Sequence, residues 1–309
     1  MMSPTLKILI SVDFDAVSGW LGTGQTPDNT LADYSSGFFA GRVGVPRLLK
    51  LFKRLGLSDK ITWFIPGQSA DTFPQETRAI IDSGAEIGLH GYCHEDNYKL
   101  TEEQERDVLR KCMDMFEKLT GKKPRGYRAP LYTTRPHTIK LLEEHGFLYD
   151  ASLSLHDSKL SYLPRGGGSP IELPQFTPAA KASSWMVPSP QVNDAPGTVV
   201  EVPGNWYMED MTPMQFWPHL PNSHGYVPTA AIEGMWLERL EFLLREMEEE
   251  PDAKDQITVF PLILHPDTSG MAHIIPMIER FLKKLQAKGD RVEFMTFGAC
   301  VEQWKAQKL

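Results

Sequence analysis

Apolar and polar positions alternate along this chain in blocks of two kinds. Residues 6–13 (LKILISVD) form a nearly continuous apolar run ending in polar chemistry, and 61–65 (ITWFI), 86–90 (EIGLH) and 257–264 (ITVFPLIL) share that character. Such runs predict strands buried on both faces. Between them the apolar period becomes helical. In 45–56 the apolar positions 45, 48, 49, 52 and 55 share one side, Pro46 suits a first turn and Gly56 a stop. Thr101-Glu102-Glu103-Gln104 has the spacing of a capping box opening a helix to Leu119, with Gly121 closing it. The pattern then predicts a short helix ending near Gly146, a strand at 148–153, and helices at 229–249, 274–287 and the C-terminus, with 294–297 strand-like. Alternating strand and helix with continuous apolar strands implies a parallel sheet or barrel with helices outside.

The texture changes between Pro164 and Pro228, which hold twelve of the 24 prolines, with three glycines at 166–168. That stretch cannot be one helix and predicts long loop with short strands such as 198–202. The expected organisation is a single domain over 1–309 with a Pro/Gly-rich insertion at 157–228 that serves as lid or subunit contact.

Composition narrows the class. With 41% hydrophobic and 23% charged residues the 309-residue chain is ordinary globular material, which excludes collagen-like, coiled-coil and disordered readings. The 32 basic against 40 acidic residues give a net charge of −8, so no nucleic-acid or anionic-membrane partner is expected. Three cysteines, Cys93, Cys112 and Cys300, are too few and too odd for a disulfide framework. The first residues carry only a short apolar run before Asp13 and Asp15, and no apolar stretch reaches the roughly 18 residues of a membrane span. A cytoplasmic protein with no membrane partner is the expectation.

The polar residues at the strand ends carry the chemistry. His90-Gly-Tyr-Cys-His94 places two imidazoles four residues apart, a spacing that puts both on one side of a helix or a tight turn. With a carboxylate from another strand end, two His and one acid leave an open position, the pattern of a catalytic metal site. Asp13 and Asp15 have period two, which in extended chain puts both on one side: one suits the metal, the other a general base. His265, followed by Pro266-Asp267, suits a general acid kept protonated by that neighbouring carboxylate. Arg128 could orient the catalytic carboxylate through a bidentate pair.

Taken together, the acidic pair Asp13/Asp15, His90 to His94, Arg128-Ala-Pro-Leu-Tyr132 and Leu264-His265-Pro266 resemble, in order, the motifs of the polysaccharide deacetylase superfamily with its NodB homology domain. The closer likeness, carried by 13–20, 88–95, 202–207 and 265–267, is to the intracellular branch of peptidoglycan deacetylase-like proteins, cyclic imide hydrolases and metal-dependent allantoinase-like enzymes. The resemblance implies an α/β fold, a distorted (β/α) barrel of about seven parallel strands. It implies Asp13 as base, Asp15, His90 and His94 as ligands of a divalent metal (zinc by default, with Co, Mn or Fe also suited), His265 as acid and Arg128 as the family's arginine. A backbone amide near Tyr132 would serve the oxyanion, although Leu131 is an extra residue in that motif. A homotetramer is also implied.

Three functions stay open. One is removal of acetyl from an amino sugar or another N-acyl compound; a second is ring opening of a small cyclic imide or ureide. In either, Trp20, Tyr132, Trp206, Phe216 and Asp267 are candidates to contact substrate. The third is a barrel that only binds, which requires a missing base, ligand or acid; none is missing.

Overall fold

In the computed structural model of the chain, which describes residues 5–171, 174–217, 225–249 and 257–308, strand β1 (Leu6–Asp13) is buried along its whole length. Residues 172–173 and 218–224 of the Pro/Gly-rich stretch lie outside the described residues. Around β1 are arranged β2 (Thr62–Ile65), β3 (Glu86–Leu89), β4 (Gly126–Tyr127), β5 (Tyr149–Asp150), β6 (Ser161–Pro164), β7 (Pro196–Glu201), β8 (Val259–Leu264) and β9 (Val292–Phe294). They make a nine-stranded sheet in the order β6-β7-β5-β4-β3-β2-β1-β8, with β9 also on β1. Every pairing is parallel except β6 with β7.

β1 meets three strands: β8 along Lys7 to Val12, β9 at Leu6 to Ile8 and β2 at Ser11 to Asp13. Since β8 spans nearly its full length, β9 and β2 divide the opposite edge. The sheet curls until the outer side of β8 meets chain from the far end, through the isolated bridges Lys159–Thr258 and Glu209–Ile263. The result is a single mixed α/β domain, a curled and mostly parallel half-barrel.

Period two along β1 sorts its side chains. Leu6, Ile8, Ile10 and Val12 pack in the layer beneath the helices, whereas Leu9 packs inside the curl with Phe64, Tyr149, Val200 and Phe297. Ser11 and Asp13 share the parity of Leu9, which delivers them to the interior at the strand's carboxyl end. The opposite end is closed by the helix Phe297–Ala306, seated where the half-buried Glu86 accepts from Gly298 N at 2.9 Å.

Most long elements lie where the pattern predicts. The helix Glu102–Thr120 has its capping box, Gln104 N donating to Thr101 Oγ1 at 3.2 Å and Thr101 N to Gln104 Oε1 at 2.9 Å, and Gly121 closes it at φ +74°. The helix Val45–Leu55, which a π-turn at Ala40–Gly44 runs directly into, buries Val45, Leu48 and Phe52 of the predicted face and Leu51 besides, with Leu49 and Leu55 half-buried. Shorter helices at Ala16–Leu21, Leu31–Phe39, Gly67–Thr72 and Pro74–Asp82 have no clear period in the sequence. Among the described residues, no helix is long and apolar enough to cross a membrane.

Candidate active site

The carboxyl ends of β1, β3, β4 and β8 open on one cavity of about 270 Å³, whose floor holds Asp13, Asp15, His90, His94 and His265. Each arrives there for a local reason. Asp13 ends β1 on its inward face and is almost wholly buried. Arg128, one residue beyond β4 and fully buried, donates from Nη1 to Asp13 Oδ1 at 2.5 Å and to Ser11 Oγ at 2.8 Å, and from Nε to the Ala151 carbonyl at 3.0 Å. Its guanidinium lies 4.2 Å from the Phe64 ring centroid. The pair with Asp13 is therefore single rather than bidentate: Ser11 and Ala151 take the other contacts, and Nη2 has no hydrogen-bond partner among the described residues.

Asp15 does not reach the site by strand alternation, because β1 stops at Asp13 and Asp15 already has helical angles of −65° and −45°. The turn into the helix Ala16–Leu21, with Ala16 at φ +48°, swings it to the same side. Ser18 and Ser69 hydroxyls donate to its carbonyl at 2.6 and 2.7 Å and fix that turn.

His90 follows β3, and His94 comes back beside it through a tight turn rather than a helix. Glu95 accepts from the backbone N–H of Tyr92 and Cys93, each at 2.9 Å, and Gly91 and His94 take φ of +67° and +56°. A Cβ on Gly91 would sit 2.7 Å from Glu95 Oε2, so glycine is required there. The two rings stand edge to face at 4.8 Å. His90 Nδ1 lies 2.8 Å from the Arg128 carbonyl, which can only accept, so Nδ1 carries a proton and, in the neutral ring, Nε2 presents a lone pair. His94 Nδ1 lies 2.5 Å from Thr23 Oγ1, a hydroxyl that can donate or accept; Nε2 presents a lone pair when that hydroxyl accepts. The two Nε2 atoms face the Asp15 oxygens at 3.3 and 3.4 Å.

Ligand atoms of Asp15, His90 and His94 all lie within 4.8 Å of one another, and Asp15 Oδ1 is buried with no donor to it. Acceptors facing acceptors in a dry site are costly unless a cation lies between them. Burial pulls His94 down to about 4, against Asp15, so this imidazole is neutral at pH 7. Burial opposes charge on His90 too, but Asp13 and Asp15 outweigh it and raise its pKa. Asp15 shows the reverse balance: burial pushes it up, and His94, His90 and His265 hold it well below the ordinary carboxylate range.

His265 follows β8. Its Nδ1 lies 2.7 Å from Asp210 Oδ1, its backbone N–H donates to Asp210 Oδ2 at 2.9 Å, and Ser269 also donates to Oδ2. Burial alone would discharge the ring, but Asp210, then Asp15 and Asp13, hold its pKa well above the usual value. Its Nε2 is 4.0 Å from Asp13 Oδ2 and 3.8 Å from Asp15 Oδ2. The carboxylate that partners His265 is Asp210, not the sequence-adjacent Asp267. Asp267 turns away and accepts from Gln215 Nε2 at 3.0 Å, next to a neighbouring cavity.

The walls also divide. Tyr132 and Trp206 line the cavity, edge to face at 5.3 Å, together with Leu131, Glu209, Thr212 and Trp217. Trp20 instead stacks behind Trp217 at 4.0 Å, and Phe216 and Asp267 line the neighbouring cavity. The Tyr132 amide donates to the Ala129 carbonyl at 2.9 Å and is not free for an oxyanion. Asp210 and Glu209 escaped the sequence reading, and the only signal for them is an acidic pair directly following Trp206-Tyr207-Met208 inside a Pro-rich stretch.

A curled parallel half-barrel with an Asp–His–His cluster and two flanking acid–base groups at its strand tips defines the class. The family profile described as Polysaccharide deacetylase matches residues 33–149. The chain is 54% identical to peptidoglycan deacetylase-like protein FGM2 of Gibberella zeae, over 98% of this chain and 87% of that one. It is 38% identical to the peptidoglycan deacetylase of Helicobacter pylori, over 98% and 97% of the two chains. It belongs to the polysaccharide deacetylase family. Among solved structures, a candidate polysaccharide deacetylase from Mycobacterium smegmatis superposes with a TM-score of 0.79 at 28% identity, covering 100% of this chain and 93% of that one. An allantoinase superposes at 0.74 and 19% identity, over 98% and 91%, a likeness of fold alone.

Proposed function

We propose that this protein is a metal-dependent hydrolase that removes an acetyl group from an N-acetylated amino sugar. The observation that carries the reading is the Asp15–His90–His94 cluster, whose buried lone pairs face one another between Asp13 on one side and His265 on the other. One carboxylate and two imidazoles, both tied at Nδ1, are the donor set for a zinc-like divalent cation; cobalt, manganese and iron also suit it. When bound, such an ion supplies Lewis acidity to the scissile carbonyl and lowers the pKa of water.

The chain's own groups do the rest. Asp13, fixed by Arg128, takes a proton from the attacking water at Oδ2, which faces the His90 ring at 3.7 Å. His265, charged through Asp210, gives its Nε2 proton to the departing nitrogen as the C–N bond breaks, leaving acetate and a free amine. Arg128 holds Asp13 aimed at that water. Trp206, Trp217 and Tyr132 exclude water and offer apolar faces to a sugar ring.

A small cavity walled by aromatic rings also suits a cyclic imide or ureide, whose opening uses the same C–N chemistry; that is the second reading. The names of the two curated relatives favour the amino sugar. We also place the protein in the cytoplasm as a homo-oligomer, with the insertion at 157–228 as lid or subunit contact, since among its described residues Phe176, Met186, Val187 and Val192 are exposed. The test is acetate release from N-acetylglucosamine oligomers by zinc-loaded protein, alongside hydantoin and imide ring opening. Acetate in the first arm supports deacetylation; turnover in the second arm alone replaces it with the imide reading.

A further inference from the structure

Glu209 is the one carboxylate in the cavity that the mechanism leaves unused. It is held there by the bridge to Ile263 on β8 and by the Asp210 N–H donating to the Ile263 carbonyl at 3.1 Å. The residue is 94% buried yet lines the cavity above the catalytic floor. Oε2 accepts from Tyr132 Oη and Oε1 from Thr212 Oγ1; among the described residues both its partners are neutral hydroxyls, and no lysine or arginine pairs with it. Tyr132 reaches it from a turn in which Leu131 and Tyr132 both adopt left-handed φ, +50° and +59°. Two consecutive side-chain-bearing residues in that region are strained, and such strain concentrates where function requires it.

A buried carboxylate hydrogen-bonded only to hydroxyls is expensive even with the charged His265 in electrostatic reach, and each of its oxygens still has a lone pair to offer. Nothing about the fold demands an acid at 209, because the bridge to β8 is made by backbone. We infer that Glu209, braced by Tyr132 and Thr212, is the specificity-determining residue that accepts a hydrogen bond from an O–H or N–H carried beside the scissile amide. The inference rests on the proposed hydrolysis and adds the feature by which the substrate is recognised. Such a donor is a hydroxyl in an amino sugar and a ring N–H in an imide or ureide. Burial pushes the Glu209 carboxyl up, opposed first by the charge on His265 and then by the Thr212 and Tyr132 hydroxyls.

The decisive experiment crosses Glu209→Gln with removal of the donor from the substrate. Zinc-loaded wild type and variant are compared on N-acetylglucosamine oligomers and their counterparts O-methylated one position at a time, and on hydantoin and its N-methyl counterpart. Zinc content and circular dichroism show whether the variant folds and keeps its metal set. The wild type should lose roughly 10–100-fold in kcat/KM when the donor is methylated. In Glu209→Gln that penalty should shrink to less than about threefold, with zinc unchanged. An equal penalty in both proteins overturns the role of Glu209 and leaves hydrolysis standing. Turnover of hydantoin alone overturns the amino-sugar reading, and the N-methyl arm then decides Glu209 by the same criterion. Silence of zinc-loaded protein on every compound overturns both.

Discussion

Asp13 and Asp15 are separated by one residue and have opposite surroundings. Asp13 is gripped by a buried guanidinium, whereas Asp15 faces two imidazole lone pairs. The account predicts that Asp13→Asn retains zinc in elemental analysis while kcat falls by roughly 10²–10⁴. His90→Ala should instead lose the metal, with a reading well below one zinc per chain. A variant Asp13→Asn that turns over normally, or a His90→Ala that holds zinc tightly, contradicts the division of roles. At this scale the strand-end residues were legible because a charged or imidazole side chain at the end of a long apolar run has few structural uses. Asp210 was not, because it reaches His265 from 55 positions away, and adjacency in sequence pointed to Asp267 instead. Polar partnerships made through tertiary structure leave no periodic trace.

Among the elements, β5 and β7 set Asp150 beside Glu201 in register, both buried, with Asp150 Oδ2 and Glu201 Oε2 lacking any donor. Such a pair shares a proton. Burial, eased by Ser152, raises Asp150 to about 6; burial and the Asp150 charge hold Glu201 well above the usual range. Both folded values exceed the unfolded ones near 4, so the folded state keeps protons that the unfolded chain releases. The pair's contribution is therefore fully present below about pH 4 and is lost as pH rises through the folded values. Asp150→Asn should flatten this: between pH 5 and 8 the wild-type melting temperature should fall by a few degrees more than that of the variant. Parallel pH profiles would refute a shared proton. Thr101→Ala, which removes the observed capping box, should cost about 1 kcal/mol in denaturant unfolding. The long elements were readable from period and caps, as this helix and β1 show. β5 falls inside the strand expected at 148–153 but keeps only two residues, whereas β4 has two and β6 four, too short for a pattern to stand out, and their positions follow from the curl of the whole sheet.

For the molecule as a whole, the half-barrel explains how residues from 13 to 265 converge, since every parallel strand ends at the same rim. The Pro/Gly-rich stretch does more than loop. It supplies β6 and β7, then Trp206, Glu209, Asp210 and Thr212 along one side of the site. If its exposed arm is the subunit contact, Phe176→Glu with Val192→Glu should lower the mass measured by light scattering, and an unchanged mass would remove that role. The central claim is hydrolysis that depends on a metal held by Asp15, His90 and His94. It is tested most directly by measuring acetate release from N-acetylglucosamine oligomers before chelation, after chelation and after one equivalent of zinc is restored. The account predicts turnover, its loss on chelation and its return with zinc in wild type, and almost none at any stage in Asp13→Asn. Turnover that survives complete removal of metal, or that Asp13→Asn shares, would contradict it.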